Sequence, residues 1–234
     1  MLNTYDEVTV LAKPIQIAID GPAAAGKSTI AKIVAEKLGY IYIDTGAMYR
    51  AITLKAIKKG IDLSSNEEAG ALLLETGIDL QPSVNGQLVF LDNKNVTEEI
   101  RTQEVTKAVS EMSAHALVRE RMVELQQQLA EGRGVVMDGR DIGTHVLPNA
   151  PLKVFMSASV EERAERRFKE NKTRGIQTPL EELQEEIAKR DKMDSEREVA
   201  PLRKAEDAIF LDTTPLTIQE AASEILKLAE ERLS

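Results

Sequence analysis

The chain has 234 residues, 42% of them apolar and 3% aromatic, with no cysteine and no tryptophan. That length supports one full domain and a small inserted lobe, and excludes an array of independent domains. A formal charge of −9 argues against non-specific binding to nucleic acid or anionic membrane, so any polyanion must meet a local cluster of base. Without cysteine there are no disulfides, thiolate nucleophiles or cysteine zinc sites, which fits a reducing compartment. A core of Ile, Leu, Val, Ala and Met suits an α/β protein.

Residues 1–13 carry Asp6 and Glu7 where a secretory signal would carry Lys or Arg, and read as a flexible extension. No apolar run approaches the roughly 20 residues that span a bilayer, so the protein is expected to be soluble. Ile15 to Asp20 is a β-branched run ending at Gly21, and Ile30, Ile33, Val34 and Leu38 then share one helical face over residues 27–38 before Gly39 stops it. Tyr40 to Asp44 reads as a second strand, and Thr45 opens a helix that closes at Gly60. Such alternation implies a parallel sheet.

The pattern changes over residues 61–101. Ser65 and Glu68 form a capping box for a short helix, and the alternation from Ile78 leads through an Asn85-Gly86 hairpin turn into Gln87–Leu91. A third strand is expected at Asn95–Thr97 after turn residues Asp92 to Lys94, making this segment an antiparallel insert. Helical periodicity returns over 102–113 and again from Leu117 to Leu129, ending at Gly132. Strands follow at Val135–Asp138, Lys153–Met156 and Ile209–Asp212, with a final helix marked by Ile218, Ala222, Ile225 and Ala229.

The sharpest motif is Gly21, Pro22, Ala23, Ala24, Ala25, Gly26, Lys27, Ser28, a complete GxxxxGK[ST] between an expected strand and an expected helix. Its backbone amides and helix N-terminus cradle phosphates, Lys27 reaches the β- and γ-phosphates, and Ser28 offers a hydroxyl to Mg²⁺. A cradle alone leaves a kinase, a GTPase switch and an ATP-driven machine open. No NKxD guanine-reading motif is present, since neither Asn93-Lys94-Asn95 nor Asn171-Lys172 has Asp in place. Asp138, ending its strand, reads either as a Walker B carboxylate at the Mg²⁺ shell or as an acidic strand-end cap.

After a capping box at Ser159 and Glu162, Arg163, Arg166 and Arg167 lie at i, i+3 and i+4, either a phosphate clamp or an ordinary charged helix face. The polar stretch to Thr178-Pro179, where a helix restarts with Thr178 as N-cap and Pro179 at N1, has the layout of a mobile lid over residues 159–178. Arg190, Asp191, Asp194 and Arg197 beyond it could face substrate or water.

The segments IAIDGPAAAGKST, IDTGAMYRA, IRTQEVTKAVS, VVMDGRDIGT, ASVEERAERR, AKRDKMDSERE and LDTT together resemble the bacterial cytidylate kinase family, in the nucleoside monophosphate kinase group of P-loop proteins. The resemblance implies a P-loop three-layer α/β sandwich with a parallel central sheet. Residues 14–60 and 102–234 would form the kinase core, and 61–101 an inserted acceptor-binding subdomain. It implies Mg²⁺-dependent transfer of the γ-phosphoryl group of ATP to CMP or dCMP by a cytoplasmic monomer, without nucleic-acid or membrane partners. Other P-loop kinases of small molecules or of UMP and CMP, and a non-catalytic nucleotide-binding regulator, are the alternatives.

Position by position, the family's ATP loop falls on Gly21 to Thr29 and its acceptor-phosphate contacts resemble Thr45 and Arg50. Its cytosine contacts resemble Ser110, Arg119 and Asp141, its further substrate contacts Arg140, Arg190 and Arg197, its ribose contact Asp194, and its lid arginines Arg163 and Arg167, with Arg166 on the same face. Thr45 stands where some members carry Ser, keeping the hydroxyl. His145 stands where the resemblance suggests an aliphatic residue; for it and His115 a solvated or hydrogen-bonded structural role is expected.

Overall fold

The computed structural model describes residues 13–83, 86–173 and 175–233. Residues 1–12, which make up nearly all of the expected extension, lie outside them, as do Asn85 of the expected hairpin turn and Arg174 of the expected lid. Five strands, β1 (Gln16–Asp20), β2 (Ile41–Asp44), β6 (Val135–Gly139), β7 (Leu152–Ser157) and β8 (Ile209–Asp212), form a parallel sheet in the order β2-β6-β1-β7-β8.

Helices cover both faces, and the period-2 alternation of the strands sends side chains to each. On one side Ile17 and Ile19 of β1 and Val136 of β6 pack with Ile30 and Val34 of α1 (Lys27–Leu38) and Ile225 and Ala229 of α8 (Ile218–Leu233). On the other, Ala18 and Met137 meet Met48 and Ile52 of α2 (Thr45–Lys59), Val109 and Met112 of α4 (Gln103–Met112), and Val118 and Met122 of α5 (Ala116–Ala130). Burial on both faces is what near-continuous apolar strands in a parallel sheet require. Among the described residues no helix is long and apolar enough to cross a membrane.

The insert comprises α3 (Asn66–Leu74) and an antiparallel sheet of β3 (Ile78–Ser83), β4 (Gly86–Leu91) and β5 (Lys94–Asn95). The third strand starts and ends earlier than expected: the Val96 amide still donates to the Val89 carbonyl at 2.8 Å, but the Thr97 amide turns to the Asn95 side chain at 3.0 Å and the ladder stops. Leu72, Leu80, Val89 and Leu91 join the same apolar cluster as Met48 and Met137, so the insert shares the core of the α2 face. The expected capping box is half made: Ser65 Oγ caps the Glu68 amide at 3.2 Å, but the Glu68 carboxylate turns to the Asp62 amide.

Beyond β7, α6 (Val160–Thr173) and α7 (Leu180–Glu196) pair through Ala164, Leu183 and Ile187, against which Ala24 also packs. Helix α7 starts one residue later than expected. Pro179, with ψ 145°, is itself the N-cap and accepts the Leu183 amide at 3.1 Å, so Thr178 does not cap.

Candidate active site

The C-terminal ends of β1, β2 and β6 carry three carboxylates, Asp20, Asp44 and Asp138, and the glycine-rich motif opens there. At Gly21, with φ 148°, a Cβ would stand 2.1 Å from the Met156 carbonyl oxygen, so only glycine lets the loop leave the sheet this way. Lys27, 5% exposed, donates from Nζ to the Pro22 carbonyl at 2.7 Å. Burial, followed by repulsion from Arg140, pulls its ammonium well below its ordinary value.

Ser28 Oγ donates to Asp138 Oδ2 at 2.8 Å and the Tyr42 hydroxyl to Asp138 Oδ1 at 2.8 Å, while Thr45 Oγ1 donates to the Asp138 backbone carbonyl at 2.7 Å. Burial and then Asp44 push the Asp138 carboxyl up to about 6, against the pull of Lys27, Ser28 and Tyr42. Asp138 thus meets the Ser28 hydroxyl directly instead of capping its own strand end. Among the described residues no group of three or more His, Cys, Asp or Glu could hold a metal by itself. A hydroxyl beside a single carboxylate is the donor set of an ion that takes its remaining oxygens from phosphate and water.

A second cluster gathers around Asp141. Arg119 of α5 forms a buried ion pair with Asp141, lies 5.3 Å from the Tyr49 ring centroid and donates to the Ser113 carbonyl at 3.0 Å. Arg197 approaches the other Asp141 oxygen at 3.6 Å. Arg140 pairs not with its neighbour Asp141 but with Asp194, at 2.9 Å. Ser110 is buried on α4.

Arg50 donates to Thr106 Oγ1 at 2.8 Å, and burial, then Arg167, Arg101 and Arg140 against Asp44, bring it down to about 10. Arg190 is brought down to about 9 by burial first and then by Arg140 and Arg50, and its buried Nε has no hydrogen-bond partner among the described residues. Four guanidiniums, those of Arg50, Arg140, Arg167 and Arg190, thus repel one another around one region. An anion placed there relieves that repulsion.

The three arginines of α6 each have partners of their own. Arg163 is buried, with Asp191 at 2.6 Å and the Ala23 carbonyl at 3.0 Å. Arg166 binds Glu162 at 2.9 Å and the Thr213 carbonyl at 2.6 Å. Arg167 lies 3.5 Å from Glu170. Each charge has a carboxylate beside it, and two of the heads fasten α6 to the glycine-rich loop at Ala23 or to the segment after β8. His145 is exposed and bonded to Thr144 at 2.9 Å, and His115 is buried between Asn66 and the Leu63 carbonyl, both at 2.6 Å. Sequence reasoning missed Tyr42, Tyr49 and Asp20, whose partners are distant in the chain and leave no local pattern.

Residues 17–231 match the family model described as Cytidylate kinase. A curated cytidylate kinase of Lysinibacillus sphaericus is 64% identical over 95% of this chain and 100% of its own length. One from Bacillus subtilis is 60% identical over 95% of this chain and 99% of its own. Among solved structures, that of an uncharacterized protein from Eubacterium ventriosum superposes with a TM-score of 0.51 at 14% identity, covering 94% of this chain and 99% of that one. At that identity the likeness speaks to the fold alone.

Proposed function

The chain belongs to the cytidylate kinase family, a family of ATP-dependent phosphoryl transfer to CMP, and from that premise we propose how its own residues divide the work. Gly21 to Thr29 hold the phosphates of ATP, with Lys27 at the transferring group. Thr45, Arg50, Arg140 and Arg190 hold the acceptor phosphate, Asp194 and Arg197 the ribose side, and Ser110, Arg119 and Asp141 the cytosine of CMP or dCMP. The reading extends to a cytoplasmic monomer that takes nucleotides and not nucleic acid.

The acceptor phosphate oxygen is already anionic near neutral pH, so a strong general base is unnecessary and alignment with charge neutralisation carries the rate. Arg163, Arg166 and Arg167 exchange their present partners for phosphate oxygens as the lid over residues 159–178 closes and excludes water. Ser28 and Asp138 would hold Mg²⁺, which supplies charge neutralisation on the phosphate oxygens when bound.

The observation that carries base selection is the buried ion pair of Asp141 with Arg119, with Arg197 at 3.6 Å. Cytosine offers an N4 amine to a carboxylate, whereas uracil offers the O4 acceptor, so a fixed Asp141 favours one and repels the other. Turnover with ATP and each of CMP, dCMP, UMP and AMP tests the assignment in the native protein and in Asp141→Ala. The CMP to UMP ratio of kcat/KM should shrink about fivefold or more, chiefly through loss on CMP. Equal losses on both bases would assign Asp141 to structure.

A further inference from the structure

Asp20 is the last residue of β1 and the one before Gly21, where the ATP loop begins. Its carboxylate, 4% exposed, accepts the amide of Ile142 on Oδ1 at 2.8 Å and that of Gly143 on Oδ2 at 2.7 Å, 122 and 123 residues along the chain. Those amides open a wide helical turn over Ile142–Val146, in which His145 and Val146 donate back to the Asp141 carbonyl at 2.8 and 3.2 Å. The first amides of any helical turn have no acceptor within the turn itself. Asp20 therefore caps this turn from another strand, and the residue at the junction is Asp141, whose carboxylate meets Arg119 and Arg197.

We propose that Asp20 is a positioning residue for base selection: by holding the amides of Ile142 and Gly143 it fixes Asp141 against the root of the ATP loop. The proposal rests on the reading of Asp141 as the cytosine contact. Two bonds to adjacent amides set both the height and the tilt of the turn, and a carboxylate is the one side chain of this size that accepts on both oxygens at once. Asparagine keeps the volume but turns an NH₂ toward one of the amides. That leaves a buried donor unpaired and lets the turn, and Asp141 with it, shift.

The second handle lies on the turn. A methyl at Gly143 would stand 3.3 Å from Asp20 Oδ2 and 3.2 Å from Lys153 Cδ, so Gly143→Ala presses on the same bond from the other side.

The test is kcat and KM for CMP, UMP and ATP in the native protein and in Asp20→Asn, Gly143→Ala and Asp141→Ala. In Asp20→Asn the CMP to UMP ratio of kcat/KM should fall about fivefold or more through a higher KM for CMP, with KM for ATP little changed. Gly143→Ala should shift the ratio the same way by less, and decides the matter if Asp20→Asn does not fold. A cap with only a structural role would lower stability and cut kcat/KM equally for both bases, and that result would overturn the proposal. If Asp141→Ala collapses the ratio while both other variants keep it, the positioning role alone fails. If Asp141→Ala also keeps the ratio, the base reading fails together with it.

Discussion

Lys27 is a cation kept out of water, held by one carbonyl and pressed by the arginines around it. In the free protein that arrangement is a cost that phosphate charge relieves, and on the proposed reading the ammonium acts most on the charge that shifts during transfer. Lys27→Met should therefore lower kcat by about a hundredfold or more while the melting temperature holds or rises, since a methionine fills similar space without an ammonium to desolvate. Near-native turnover in this variant would remove the loop from the reaction.

The Asp20 carboxyl carries a second measurable signature. Burial and then Asp141 push it up, the Gly143 and Ile142 amides and Lys27 pull it back, and it comes to rest at about 6, above its ordinary 3.8. A carboxyl raised on folding contributes stability that is complete below its unfolded value and is lost as pH rises through the folded one. The melting temperature of the native protein should fall relative to Asp20→Asn between about pH 4 and pH 7, with most of the change in the window bounded by those two values. A gap between the two proteins that is flat with pH would mean that Asp20 titrates as it does in an open chain.

Among the elements, the pair α6 and α7 is the part with a motion to test. On the proposed reading, nucleotide phosphates replace the present bonds of Arg163 to Asp191 and Ala23 and of Arg166 to Thr213. Amide exchange in α6 should slow when a bisubstrate analogue of ATP and CMP is bound, as measured by mass spectrometry. Unchanged protection there would show that these helices form a fixed wall.

What could be read at this scale without coordinates follows from range. Helix α1 spans Lys27–Leu38 and β8 spans Ile209–Asp212 as their local patterns indicate, because amphipathic spacing and glycine stops act within a few residues. The turn at Ile142–Val146 was opaque, since its cap is Asp20, and so was the pairing of Arg163, since Asp191 belongs to another helix. The motif residues announced a phosphate site, but which guanidinium faces which carboxylate depends on tertiary approach.

At the scale of the molecule, the insert and the sheet share one apolar cluster, with Leu72 of α3 joining Met48 and Met137. Leu72→Ala should cost about 2 to 5 kcal/mol and move a single unfolding transition to lower denaturant without splitting it. Two resolved transitions, with only the first displaced, would make the insert an independently melting unit.

The strand order β2-β6-β1-β7-β8 also places a constraint on biosynthesis. The strand that roots the ATP loop pairs with residues 135–139 and 152–155, so neither of its neighbours exists until more than half of the chain has left the ribosome. Until then both edges of an apolar strand, Ile17 to Ile19, are open to pairing with another chain. Nascent chains halted before Val135 should be protease-sensitive and prone to aggregate, whereas chains released beyond Ser157 should acquire protection around Gly21 in one step.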